Sequence, residues 1–171
     1  LFQSCNHQAC VTEPIAVIPQ PVLTEPGTGC FQIRSGTRIL VYGEDPVLKQ
    51  DAEYLAGIFE RVAGYRLQDN GREAGGGKQV SDAKNLTENN TILLMLDGSL
   101  QSLGEEGYDL LVDKKSIRIK ASQPAGIFYG IQTLLQLLPT EIFEDQIVND
   151  KLWSVPAVHI ADHPRYSWRG M

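Results

Sequence analysis

Thr91-Ile92-Leu93-Leu94-Met95-Leu96, closed by Asp97-Gly98, decides the fold. The run is too short for a helix and too continuously apolar for a strand with one wet face, so it predicts a central strand buried on both sides. Downstream, Tyr108-Asp109-Leu110-Leu111-Val112 and Ser116-Ile117-Arg118-Ile119-Lys120 flank a short polar turn and predict a hairpin. Alternation of Ile117 and Ile119 with Arg118 and Lys120 turns one face of that hairpin to water. A helix follows Pro124, with Ile127, Ile131, Leu134, Leu135 and Leu138 on one face, and stops at Pro139. Upstream, Leu48, Ala52, Leu55, Ile58, Phe59 and Val62 recur at helical steps between the start signal Asp45-Pro46 and the stop Gly64. Residues 30–33 and 37–42, split by Ser35-Gly36, are β-rich and predict a further hairpin, while residues 15–18, closed by Pro19 and Pro21, predict a first strand. The sum is an α+β domain: a largely antiparallel or mixed sheet of about seven strands, with two helices packed on one face.

Composition narrows the function classes. A 171-residue chain of net charge -6 has no basic stripe to neutralise phosphates, so nucleic acid is not an expected partner. No stretch approaches the ~20 apolar residues of a bilayer span. Residues 69–90 are rich in Gly, Asn, Asp and Lys and read as a long surface loop without chemistry. The three cysteines, Cys5, Cys10 and Cys30, form no Cys-x-x-Cys pair, and their spacing does not select a disulfide. Residues 1–14 show no apolar period and read as a flexible tether. Within the tether, Leu1-Phe2-Gln3-Ser4-Cys5 resembles the end of a bacterial lipoprotein signal, which makes Cys5 a lipidation candidate and a lipid anchor an expectation.

The residue types that often carry chemistry do not assemble on their own. His159 and His163 have the spacing of a helical metal pair, but Pro156, Pro164 and the apolar Val155, Val158 and Ile160 argue for extended chain, where residues four apart lie roughly 13 Å from each other. Neither a metal site nor a cofactor is expected. Gly75, Gly76, Gly77, Gly104 and Gly107 lack the strand-loop-helix setting of a phosphate cradle and read as loop glycines. Glu105-Glu106 and Glu144-Asp145 read as solvated surface.

Three stretches together resemble one family. Residues 107–119, the segment Ala125-Gly126-Ile127-Phe128-Tyr129-Gly130-Ile131-Gln132-Thr133-Leu134-Leu135-Gln136-Leu137-Leu138-Pro139, and Ile160-Ala161-Asp162-His163-Pro164-Arg165-Tyr166-Ser167-Trp168-Arg169-Gly170 resemble the N-terminal domain of family 20 glycoside hydrolases and its junction with their barrel. Ile18-Pro19-Gln20-Pro21 resembles that domain's opening strand. Some O-GlcNAcase-like and α-glucuronidase enzymes carry a similar domain, and Trp168-Arg169-Gly170-Met171 favours the β-N-acetylhexosaminidases among them.

The resemblance implies a tether over 1–14, an accessory α+β domain over 15–160, and over 161–171 a junction with the first strand of a (β/α)8 catalytic barrel. It implies a parent enzyme that removes terminal N-acetylhexosamine from glycans with an adjacent Asp-Glu pair, the substrate's acetamide serving as nucleophile. No Asp in this chain is followed by Glu, so no catalytic residue is expected in it. Of the family's sugar-contacting residues only Arg169 falls within the chain, as a substrate-binding residue of the full-length enzyme. The expected partners are the C-terminal barrel of the same chain and, through it, a glycan. The expected location is extracytoplasmic, in a bacterial periplasm or as an outer-membrane lipoprotein. A stand-alone carbohydrate-binding or surface module is the alternative, and Phe128 and Tyr129, which such a module would expose, read as structural members of the helix pattern.

Overall fold

Along the chain run β1 (Leu23–Ile33), β2 (Arg38–Tyr42), α1 (Pro46–Ala63), β3 (Gln68–Asp69), β4 (Thr91–Leu96), β5 (Tyr108–Val112), β6 (Ser116–Ala121), α2 (Pro124–Leu137) and β7 (Trp153–Asp162), with 3-10 turns at Gly98–Leu103 and Thr140–Phe143. The structure, a computed structural model, describes residues 15–43, 45–69 and 89–164. The strands form one mixed sheet in the order β1-β7-β5-β6-β4-β2-β3, six of them five residues or longer and β3 only two. β2, β4 and β6 are parallel neighbours, whereas β6, β5, β7 and β1 alternate in direction. The parallel pair β2–β4 follows from α1, which carries the chain back across the sheet between them.

β4 lies between β2 and β6, and its first five residues are buried, as its apolar run predicts. Ile92 and Leu94 join Ile39, Val41, Ile117 and Ile119 in the core under the helices. Leu93 and Met95 point to the opposite face, where with Leu40 they form a small second cluster. The main core of this α+β layer closes among the described residues.

Two expectations about the N-terminal third are corrected. Residues 15–22 form no strand; Pro19 and Pro21 interrupt the ladder, and the segment crosses the domain as a strap. Buried Val17 anchors the strap, the Ile18 amide donates to Gln136 Oε1 at 2.9 Å, and the Val22 amide donates to Asp162 Oδ1 at 3.1 Å. Nor do residues 30–33 and 37–42 pair as a hairpin. β1 is an edge strand on β7, and β2 sits towards the other edge beside β4. A tight turn, with the Thr37 amide on the Arg34 carbonyl at 2.8 Å, links them. The short link suffices because the β1–β7 ribbon extends past β5, which pairs only with residues 158–162 of β7. That free end curls onto α1, where Trp153 meets Phe59 edge-on at 5.9 Å and the Tyr65 hydroxyl donates to the Ile33 carbonyl at 3.3 Å. Pro156 is tolerated there because no strand lies on its second side.

Both helices have the ends that the sequence predicts. Asp45 caps α1 by accepting from the Val47 amide at 2.8 Å, and Gly64, at φ +71°, ends it in the left-handed conformation. α2 starts at Pro124 and stops before Pro139. Gly126 and Gly130, one turn apart, let the backbone of α2 descend onto β5 and β6. A Cβ at Gly126 would overlap the Gly107 carbonyl and stand 2.7 Å from the Cβ of Ala121, and one at Gly130 would strike Ile119. Gly107 is equally closed in, against Leu103, so its place in the sequence is a packing position rather than a free loop. Beneath α2 the buried hydroxyls of Tyr108 and Thr133 bond at 2.6 Å, and burial pushes the Tyr108 phenol up to about 12.

On the helix-free face a side chain of β7 fastens the edge strand. His159 Nε2 lies 2.7 Å from Asp109 Oδ2 on β5, and its Nδ1 lies 3.2 Å from Glu25 Oε2 on β1. Asp109 chiefly, then Glu25, raises the imidazole above its ordinary value against the effect of partial burial.

The glycine packing predicts opposite signs for two helical substitutions. Gly126→Ala should destabilise by about 1–3 kcal/mol, because overlap with a backbone carbonyl outweighs the ~1 kcal/mol gained in helix propensity. Gly57→Ala in α1, where a new Cβ meets nothing within 4 Å, should stabilise by about 0.5–1 kcal/mol. Urea midpoints of the two variants check the pair. For His159, a raised folded-state pKa gives stability that is fully present below the ordinary value of 6.5 and lost as pH rises through the folded value. The melting temperature of the wild type should therefore exceed that of His159→Gln by about 1–4 °C near pH 6, with the gap closing by pH 9, as differential scanning calorimetry would measure.

Candidate docking face on the two helices

α1 and α2 follow the parallel strands β2 and β6, so both begin at the same end of the sheet and run side by side. On α2 the positions 127, 131 and 134 take the buried face, and the next residues round the wheel, Phe128 and Tyr129, fall on its outer side. They are 40% and 38% exposed, and Tyr54 of α1 is 42% exposed. Reading Phe128 and Tyr129 as structural members of the helix is thus corrected: the close seating of Gly126 and Gly130 fixes the rotation of α2 and turns both rings outward.

The three rings form a continuous strip. Tyr54 and Phe128 are 5.9 Å apart, Phe128 and Tyr129 6.0 Å apart, and Gln132 Nε2 donates to the Tyr54 hydroxyl at 3.4 Å. Beyond Tyr129 the strip opens into a cleft of about 490 Å³ between α2, the 17–20 strap and the chain as it leaves β7 at His163 and Pro164. Exposed apolar surface of this kind, with polar groups at its margin, is a candidate for contact with a protein, a membrane or a ligand.

Asp51 stands beside the strip on α1. It is 7% exposed, and its Oδ2 is enclosed without a hydrogen-bond partner. Desolvation, and secondarily the charge of Asp45, pushes its carboxyl up to about 6. Sequence reasoning missed it, although the signal was present: position 51 is three after Leu48 and four before Leu55, inside the apolar arc of α1.

The candidate residues that the sequence suggests do not converge here. Arg169, Cys5 and Cys10 lie outside the described residues, as do residues 70–88 of the long loop. His159 is extended on β7, held by carboxylates of two neighbouring strands, and His163 follows the strand's end. Among the described residues no group of three His, Cys, Asp or Glu side chains could hold a metal ion. Asp145 is at the surface 3.7 Å from Arg61, and Asp162, one of the two acids lining the cleft, accepts the Val22 amide. Cys30 on β1 is disulfide-bonded.

Comparison with known proteins places this geometry. Residues 14–163 match the family model for domain 2 of glycosyl hydrolase family 20. The chain is 35% identical over 157 residues to a beta-hexosaminidase of Porphyromonas gingivalis, covering 91% of this chain and 18% of that protein. It is 30% identical over 157 residues to a beta-N-acetylhexosaminidase of Cellulomonas fimi, covering 92% of this chain and 28% of that protein. The structure of the GH20 beta-N-acetylhexosaminidase from Streptomyces coelicolor A3(2) superposes with a TM-score of 0.73 at 33% identity, over 90% of this chain and 27% of the other. The chain thus spans less than a third of the length of each of these relatives. With the sheet order, the glycine-seated second helix and a family match over most of its length, the chain belongs to glycosyl hydrolase family 20 and is its domain 2.

Proposed function

We propose that this chain is the accessory, non-catalytic N-terminal domain of an exported β-N-acetylhexosaminidase, and that its two helices seat on a catalytic barrel that follows in the same polypeptide. The observation that carries the reading is the aromatic strip Tyr54, Phe128, Tyr129. It runs along the outer face of both helices and ends at the cleft that His163 and Pro164 line after β7, and in this reading the domain that follows meets that face. Relatives that are several times longer, and named as hexosaminidases, support a longer hexosaminidase parent.

In this reading the domain supplies support and the barrel supplies chemistry. The parent removes terminal N-acetylhexosamine from glycans, with an Asp-Glu pair that this chain lacks. Arg169 opens the first barrel strand, where its fork of donors reaches adjacent sugar hydroxyls. Export is supported by the disulfide at Cys30, since such bonds persist in oxidising compartments. Cys5 is the lipidation candidate that would hold the enzyme at a periplasmic or outer-membrane surface.

Two expected outcomes test the proposal. The isolated chain should show no hydrolysis of an aryl N-acetylglucosaminide above buffer, while the full-length protein turns it over; activity proportional to pure fragment would refute the accessory role. In the full-length protein Arg169→Ala should lower kcat/KM by roughly ten- to a hundredfold, the worth of about 1.5–3 kcal/mol for hydrogen bonds to a charged group, with the fold retained by circular dichroism. Equal efficiencies would remove Arg169 from the site.

A further inference from the structure

We propose that Asp51 is a docking anchor: a carboxylate pre-placed in the flank of α1 that forms an ion pair with an arginine or lysine of the domain following in the same chain. The inference rests on the reading that the helical face seats that domain, and it adds the chemistry of the contact.

Asp51 is nine-tenths buried, yet it makes no hydrogen bond or ion pair with any described residue. A buried carboxylate without a partner is expensive, and an apolar residue would serve this helix position better if packing within the domain were its only duty. The elements packed against α1 offer it no cation. α2 and β4 contain no charged residue. β2 carries Arg38 at its first position, the end of the strand away from the start of α1. β3 adds only an acid, Asp69, and Glu141 of the second 3-10 turn is paired with Lys151. On α1 itself, Lys49 projects about 200° round the helix from Asp51, and Arg61 is paired with Asp145. The charged group that does act on Asp51 is Asp45, of like sign.

Position on the docking face points to where the missing partner comes from. Val47 and Tyr54, four residues before and three after Asp51, share its flank of the helix and are both exposed. A surface laid over Tyr54 and Phe128 therefore passes over Asp51 as well. Asp45 at the cap and Asp51 in the second turn of α1 repel one another, and a cation brought between them would relieve that repulsion where a neutral donor would not. The occupant is the polypeptide beyond Pro164. His163 and Pro164, which follow β7, line one cleft with Tyr129 of this face, and the relatives that match the chain are several times longer.

The test compares Asp51→Asn and Phe128→Ser by calorimetry at pH 7.5, in the isolated chain and in the full-length protein. The folded-state value of about 6 lies above the ordinary 3.8, so the charge of an unpaired Asp51 costs stability above pH 6, and the cost fades as pH falls from 6 towards 4. In the isolated chain Asp51→Asn should therefore raise the melting temperature. In the full-length protein the sign should reverse, the variant melting several degrees below wild type, because it removes half of an ion pair. There the gap should also hold between pH 7.5 and pH 5, since a paired carboxylate stays charged; this second reading decides the matter even if the isolated chain does not fold. If Phe128→Ser destabilises the full-length protein but Asp51→Asn raises or leaves its melting temperature, docking stands and the anchor is overturned. If neither variant lowers it, the docking reading itself fails.

Discussion

The close approach of α2 to the sheet is the constraint on which most of this structure depends. With hydrogen in place of a side chain at Gly126 and Gly130, the helix backbone meets the Gly107 carbonyl and the side chain of Ile119 directly. Few rotations of α2 satisfy that contact. The one observed puts Ile127, Ile131 and Leu134 into the core and brings Thr133 onto the Tyr108 hydroxyl. It also leaves Phe128 and Tyr129 no inward position, so the internal packing of the helix generates the external aromatic strip.

Elements governed by local chemistry were legible from sequence. The Asp45-Pro46 start and Gly64 stop of α1, the Pro124 start of α2, and the 108–112/116–121 hairpin all appear where residue pattern and end signals put them. β4 was legible because a strand covered on both faces needs no alternation. What failed depended on pairing partners distant in sequence. Cys30 to Ile33 and Arg38 to Tyr42 look like two arms of a hairpin, but β7, more than a hundred residues later, captures the first and β4 the second. Nothing in either run encodes that competition. Residues 15–18 have strand composition but sit beside two prolines, and the tertiary hydrogen bonds of Ile18 and Val22, to Gln136 and Asp162, take over the role of a ladder.

The docking face was legible only in part, for a related reason. Periodicity finds the residues that point inward, and it is silent about whether outward aromatic residues are incidental or contiguous. Contiguity arises here because Tyr54 and Phe128 lie on different helices, and they meet only after β2 and β6 have been placed in parallel with β4 between them. The same holds for Asp51, whose burial becomes visible only in the folded domain.

The polar chemistry of the domain is chiefly structural among the described residues. Its polar side chains are largely committed to holding strands and straps: His159 to Asp109 and Glu25, Asp162 to the Val22 amide, Asp97 to Ser99, Asp113 to the turn at Lys115 and Ser116. Among the described residues Asp51 is the carboxyl pushed furthest upward, and it lies within a helix flank one turn from the exposed Tyr54 rather than in the cleft. A perturbed carboxylate in an open cleft would suggest an acid or base, whereas Asp51 is enclosed in the flank of its helix. The physical logic of the fold therefore runs outward from glycine packing, through the orientation of two helices, to a surface on which exposed aromatic rings stand one helical turn from an enclosed carboxylate.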